Sequence, residues 1–221
     1  MSSQIAQLGE ESAAHTAHSL QQRSAVHAVP SREPDRALAI EAVADLLRAL
    51  GRDPESPHLA DTPRRVADAF IEMLTPREFE ATSFANDENY RELVLVRDIP
   101  FSSLCEHHLL PFQGVAHIGY LPGERIIGLS KLARVLDYFS RELQVQERLT
   151  QQVADWLHAE LGARGVGVVL EAEHQCMSAR GARVVGTRTS TSAWHGELRG
   201  DREARSEFLA ACGRQIGAAG S

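Results

Sequence analysis

Four consecutive residues, Cys105-Glu106-His107-His108, concentrate more chemistry than any other stretch of this sequence. A Cys and a His with two residues between them can converge on one Zn²⁺ when they lie on a turn. Far along the chain, His174-Gln175-Cys176 brings a second such group to the expected end of a strand. Cys105, His108 and Cys176 make three candidate ligands. A structural zinc closes four protein ligands around itself, whereas a catalytic one keeps a position open for water, and three ligands leave that opening. His107 and His174 are then spare, and imidazole is the side chain suited to proton transfer near pH 7. On spacing alone two other readings stand: a closed knuckle that uses a fourth histidine, or no metal at all.

A second constellation is basic. Ser130, Lys131 and Arg134 fall at the start of an expected helix, with Arg180 four residues beyond Cys176. Lys131 and Arg134, at i and i+3, share a helix face. Free backbone N–H groups and the helix dipole favour an anion there, so the group suits a phosphate. Taken alone a solvated helix face explains it as well, and the closeness of Arg180 to Cys176 favours the phosphate. The third constellation is Gln146-Glu147 at the start of another helix. A carboxylate there either caps the helix or accepts two parallel N–H bonds, as from the N1–H and 2-amino group of a guanine.

These groups need a frame. The chain of 221 residues carries 23 Lys plus Arg against 30 Asp plus Glu, a formal charge of −7. That balance argues against a protein that coats nucleic acid or an anionic membrane, so any polyanionic ligand must be held by a local basic pocket. No apolar stretch approaches the ~20 residues of a membrane span. The N-terminus has neither an apolar signal core nor an acid-poor transit character, since Glu10 and Glu11 lie in it. Three cysteines are too few for a disulfide scaffold, which points to a reducing, cytoplasmic setting.

Residues 1–33 have few large apolar residues and no sustained period, and are expected to form a disordered tail. The folded domain is expected over 34–221. Leu38, Ile40, Val43, Leu47 and Leu50 mark a helix, and Thr62-Pro63 starts a second, so helices occupy about 34–80. Strands are expected at Glu92–Arg97, Gly114–Leu121, Gly165–Ala172 and Arg183–Ala193. Helices are expected after Ser130, as the cap, and from about Gln146. This order suggests an α+β core over about 90–215, built on an antiparallel four-stranded sheet with helices on one side and an N-terminal helical extension.

In this order the pieces resemble GTP cyclohydrolase I. The resemblance runs through HLADTP from His58, CEHHLLPFQGVAHIGYLP (105–122), GLSKLARV (128–135), QVQERLTQQV (144–153), EAEHQCMSARG (171–181) and the EFL around Phe208. It implies a tunnelling fold (T-fold) and zinc-dependent conversion of GTP and water to 7,8-dihydroneopterin triphosphate and formate, the first step of pterin and tetrahydrofolate biosynthesis. It also implies a homo-oligomer, a decamer of two pentamers, with no nucleic acid or membrane partner. By resemblance, Cys105, His108 and Cys176 hold Zn²⁺, and His107 and His174 are the acid/base histidines. Glu147, helped by Gln146, anchors guanine. Ser130, Lys131, Arg134 and Arg180 cradle the triphosphate, with Arg65 as a further phosphate contact. Asp68 stands where some family members place a second basic residue. A related enzyme that halts at the formamide or serves a deazapurine pathway would share these residues, whereas a silent paralogue would have lost some.

Overall fold

A computed structural model of the chain describes residues 21–25 and 33–213. Two helices come first in the described part of the domain: α1 (Arg36–Ala49) and α2 (Thr62–Met73). Asp35 caps α1 by accepting from the Leu38 N–H at 3.0 Å. Pro63 sits in the first turn of α2, where its missing N–H costs nothing. Asp68 of α2 takes the Arg36 guanidinium of α1 at 2.6 and 3.0 Å, so this residue ties the two helices together.

Five residues of the expected tail, Gln21–Ala25 (β1), form a strand; the remainder of that segment, 1–20 and 26–32, lies outside the described residues. β1 runs antiparallel to β2 (Glu80–Ala85), which pairs on its other side with β5 (Arg125–Ile127). No apolar alternation announces β1. Main-chain pairing along an otherwise open strand edge is sufficient to form it.

The main sheet holds β3 (Val94–Cys105), β4 (Pro111–Leu121), β7 (Gly165–His174) and β8 (Thr189–His195), antiparallel in that order. A fifth strand, β6 (Leu143–Gln144), lies parallel to the end of β3. The sheet is therefore five-stranded and mixed, not four-stranded and purely antiparallel. A two-residue strand is created by tertiary pairing and leaves no pattern of its own. The last strand begins at Thr189, not Arg183, because Arg183 has a left-handed φ of +54° incompatible with a strand.

Alternation puts Ala116, Ile118 and Tyr120 of β4 and Val166, Val168 and Leu170 of β7 on one face. There they meet Leu132, Val135 and Leu136 of α3 (Leu129–Ser140) and Leu149, Val153 and Leu157 of α4 (Gln146–Leu161). α3 begins after Gly128, so Ser130 lies inside its first turn instead of capping it. The opposite face is covered as well, which corrects the expectation of helices on one side. Leu198 of α6 (Gly196–Gly200) and Phe208 of α7 (Arg202–Gly213) pack there on Leu121 and Val169. Phe208 needs the cross-strand pair Gly119 and Gly167, since a Cβ on either would lie 2.9 Å from its ring.

One irregularity decides what faces the helices. Val96 pairs with Ile118, but the next pair is Ile99 with Ala116, so β3 carries an extra residue. Asp98 takes a φ of +56° within it, and its N–H donates to Nδ1 of the buried His117 at 3.3 Å. His117 is thereby a satisfied strand histidine. An inserted residue inverts the alternation beyond it. Val94 and Val96 face the helices before the bulge; Ile99, Phe101 and Cys105 do so after it.

Candidate active site

The bulge delivers the Cys105 side chain to the helix-covered face at the end of β3. Glu106–Leu110 then turns the chain into β4. The Cys105 N–H donates to the Leu110 carbonyl and its carbonyl accepts from the Leu109 N–H, both at 2.9 Å. Leu109 adopts a left-handed φ of +53°, a conformation a branched side chain resists. The reversal holds His108 over Cys105. Across the sheet, β7 ends at His174, opposite Phe112, and the short helix α5 (Gln175–Ser178) carries Cys176.

The ligand atoms of Cys105, His108 and Cys176 all lie within 4.8 Å of one another. Ligands around a tetrahedral zinc with Zn–S near 2.3 Å stand roughly 3.8 Å apart, so the spacing is within a small adjustment of a zinc site. The donors fit too. Burial and the adjacent Cys105 thiol push the Cys176 thiol up, against a weaker opposing pull from Arg180. A divalent cation between the thiols reverses that repulsion and holds them as thiolates.

The two remaining histidines occupy different settings. His107 is exposed, with Nδ1 at 3.7 Å from Cys105 Sγ and Nε2 at 3.8 Å from Glu106. Glu106 is itself held by Arg148, whose guanidinium keeps its carboxyl below the usual carboxylate range. Arg148 also donates to the Gln144 side chain and the Leu143 carbonyl at 3.0 Å each, and the Glu106 N–H donates to the Gln144 carbonyl. This clamp fastens the ligand loop to β6 and α4. His174 is half-buried and stacks on Phe112 at 4.7 Å with the rings 3° from parallel. Burial lowers its pKa, and the carboxylate of Glu147 opposes that shift. Glu147 is exposed in the first turn of α4, close enough to His174 to act on it. Gln146 is buried, its Oε1 at 2.8 Å from His174 Nε2.

The candidate metal triad, His107, His174, Gln146, Glu147 and Arg180 thus converge at one end of the main sheet. Ser130, Lys131 and Arg134 do not join them within this chain. The start of α3 is anchored at the other end, where the Ile127 N–H donates to the Tyr120 hydroxyl and the Gly128 N–H to the Thr82 carbonyl. Only its far end, where the Ser140 carbonyl accepts from Ser103, approaches the site, and Ser130 is ~15 Å of helix away. Arg65 pairs with Asp61 on the exposed side of α2. Sequence reasoning misses Phe112, Arg148 and the bulge. Phe112 stands within the ligand motif, but its stacking partner is revealed only by the β4–β7 register.

The family model for GTP cyclohydrolase I matches residues 39–213. The GTP cyclohydrolase 1 of Mycolicibacterium vanbaalenii is 52% identical over 182 residues, spanning 79% of this chain and 89% of that one. The GTP cyclohydrolase 1 of Mycobacterium ulcerans is 48% identical over 191 residues, spanning 84% and 95%. Among solved structures, the apo form of the archaeosine synthase QueF-Like aligns at 15% identity with a TM-score of 0.38, over 47% of this chain and 93% of that one. That last likeness is too partial to bear on the fold. No helix among the described residues is long and apolar enough to cross a membrane. With the family match spanning most of the chain and its thiol–imidazole triad assembled beside two further histidines, the chain belongs to the GTP cyclohydrolase I family.

Proposed function

We propose that this chain is a cytoplasmic, zinc-dependent enzyme that converts GTP and water to 7,8-dihydroneopterin triphosphate and formate, opening a pterin and tetrahydrofolate pathway. The observation that carries the reading is the convergence of Cys105, His108 and Cys176 with His107, His174 and Glu147 at one end of the sheet. When bound, zinc at a three-ligand site acts as a Lewis acid that makes water reactive near neutral pH.

The chain's own residues supply recognition and proton traffic. Glu147 accepts the N1–H and 2-amino hydrogens of guanine, a paired acceptor that adenine cannot satisfy. Purine C8 is a poor electrophile until N7 is protonated, so His107 and His174 must deliver and recover protons around the ring. Water adds at C8 and the C8–N9 bond opens to a formamide; a second water releases formate. Ribose opening, an Amadori-type rearrangement and closure of the new ring then expel one water. The net consumption is one water per GTP.

The triphosphate needs Ser130, Lys131, Arg134, Arg180 and Arg65, of which Arg180 alone lies beside this chain's own cluster. A second copy of the chain would bring the others. Two strands favour such an assembly: among the described residues β8 is paired on one side only, and the side of β3 away from β4 is paired only at Leu104 and Cys105. Joining these edges around a ring removes both, and the family resemblance supplies five subunits per ring and two rings. Incubation with GTP should yield stoichiometric formate and, after oxidation, a fluorescent pterin triphosphate. GTP recovered intact from zinc-loaded protein would sink the proposal.

A further inference from the structure

The side-chain amide of Gln146 can point only one way. Gln146 is 1% exposed, and its Nε2 lies 3.1 Å from the Leu170 carbonyl, 3.0 Å from the Thr189 carbonyl and 3.0 Å from Thr191 Oγ1. Backbone carbonyls only accept, so the NH₂ end must face them. A second lock comes from Thr150. Its hydroxyl donates to the Gln146 main-chain carbonyl at 2.7 Å and lies 2.7 Å from the Thr191 hydroxyl. The Thr191 proton therefore goes to Thr150, which leaves Thr191 Oγ1 to accept from Gln146.

With the amide so fixed, the atom 2.8 Å from His174 Nε2 is the carbonyl oxygen Oε1. An amide oxygen has no proton to give, so Nε2 must carry one. The stack on Phe112 holds the imidazole plane, and a ring flip would break the bond to Gln146. Among the described residues His174 Nδ1 has no protein partner. In the neutral ring Nδ1 carries the lone pair.

We propose that Gln146 is a positioning residue that locks His174 in the tautomer protonated on Nε2, so that His174 meets the substrate through an accepting Nδ1. The inference rests on the reading of His174 as a proton-transfer group. It also gives Gln146 a different task from the guanine contact that the family resemblance implies, because both ends of its amide are used inside the chain.

The test uses full-length, zinc-loaded protein carrying ¹⁵N-labelled histidine at pH 8, where an ordinary imidazole is neutral. Subtracting the spectrum of His174→Ala isolates the His174 ring, and nitrogen shifts separate an N–H from a lone pair. The expected spectrum has a protonated Nε2 and a bare Nδ1; a proton on Nδ1 overturns the proposal, and this measurement needs no folded Gln146 variant. Gln146→Leu should show both tautomers, with kcat lower by ~10–10²-fold, less than the ~10²–10⁴ for losing a proton-transfer group itself. Its zinc content and KM for GTP should stay near the parent values. A raised KM with kcat kept would return Gln146 to substrate binding and reject the proposal. Gln146→Glu still offers Nε2–H an acceptor and should preserve the tautomer; a switch to Nδ1–H there would also count against it. The spectra are recorded without GTP. A failed tautomer assignment therefore leaves the GTP reading intact, and absence of formate from the parent protein leaves the tautomer result intact.

Discussion

At the residue scale the proposed function divides labour between groups that hold and groups that move protons. Cys176, a proposed ligand, sits on a four-residue helix and supports little of the apolar core, which is built by the strands and by α3 and α4. Cys176→Ser should therefore lose both metal and turnover while its circular dichroism stays native; one equivalent of zinc retained in that variant would remove Cys176 from the triad. His107→Ala and His174→Ala should behave differently, keeping zinc and GTP binding while turnover falls by ~10²–10⁴. Near-normal formate release from either would strike that histidine from the mechanism. Glu147 should set base identity. Sites built on such hydrogen bonds reject analogues lacking them by as much as ~10⁴–10⁵. ATP should accordingly be a very poor substrate, and equal rates with ATP and GTP would contradict the role.

At the element scale the sheet is held from both faces, and the less obvious face is testable. Phe208 is fully buried, set edge-on to Trp194 at 5.1 Å, over the paired Gly119 and Gly167. Phe208→Ala should lower stability by about 3–5 kcal/mol, read as a reduced urea midpoint at unchanged slope. A loss under about 1 kcal/mol would show that α7 is ornamental. This scale also shows what the sequence displays and what it hides. The apolar alternation of β4 and β7 and the 3.6-residue stripes of α3 and α4 are readable because burial imposes a period. Cys105, His108 and Cys176 are readable because thiols and imidazoles are few and cluster. β2, β5 and β6 are hidden because pairing partners, not their own side chains, make them strands. The extra residue at Asp98 is equally silent, since a bulge exists only relative to the neighbouring strand. Yet it decides which way Cys105 faces. The direction of the Gln146 amide is hidden for the same reason, being set by acceptors on β7 and β8.

At the scale of the whole molecule, the proposed triphosphate cradle and metal triad lie at different places on one chain, so the proposed function calls for an assembly. Light scattering should give a species near ten chains. Inactive Cys176→Ser and inactive Lys131→Ala chains, co-refolded, should recover part of the activity, because some interfaces then combine an intact triad with an intact cradle. A fully active monomer would refute the assembly, and failed complementation would refute the shared pocket. The two sources of the triad have a consequence in time as well. Cys105 and His108 sit on the short link of a hairpin between neighbouring strands, a unit that closes in ~1–10 μs. Cys176 reaches them only when β7 has crossed from beyond α3 and α4 to pair with β4, the kind of distant closure that slows folding. Zinc capture during refolding should therefore lag behind helix formation and keep pace with the docking of β7, which makes the metal a clock for the moment when the two halves of the sheet become one.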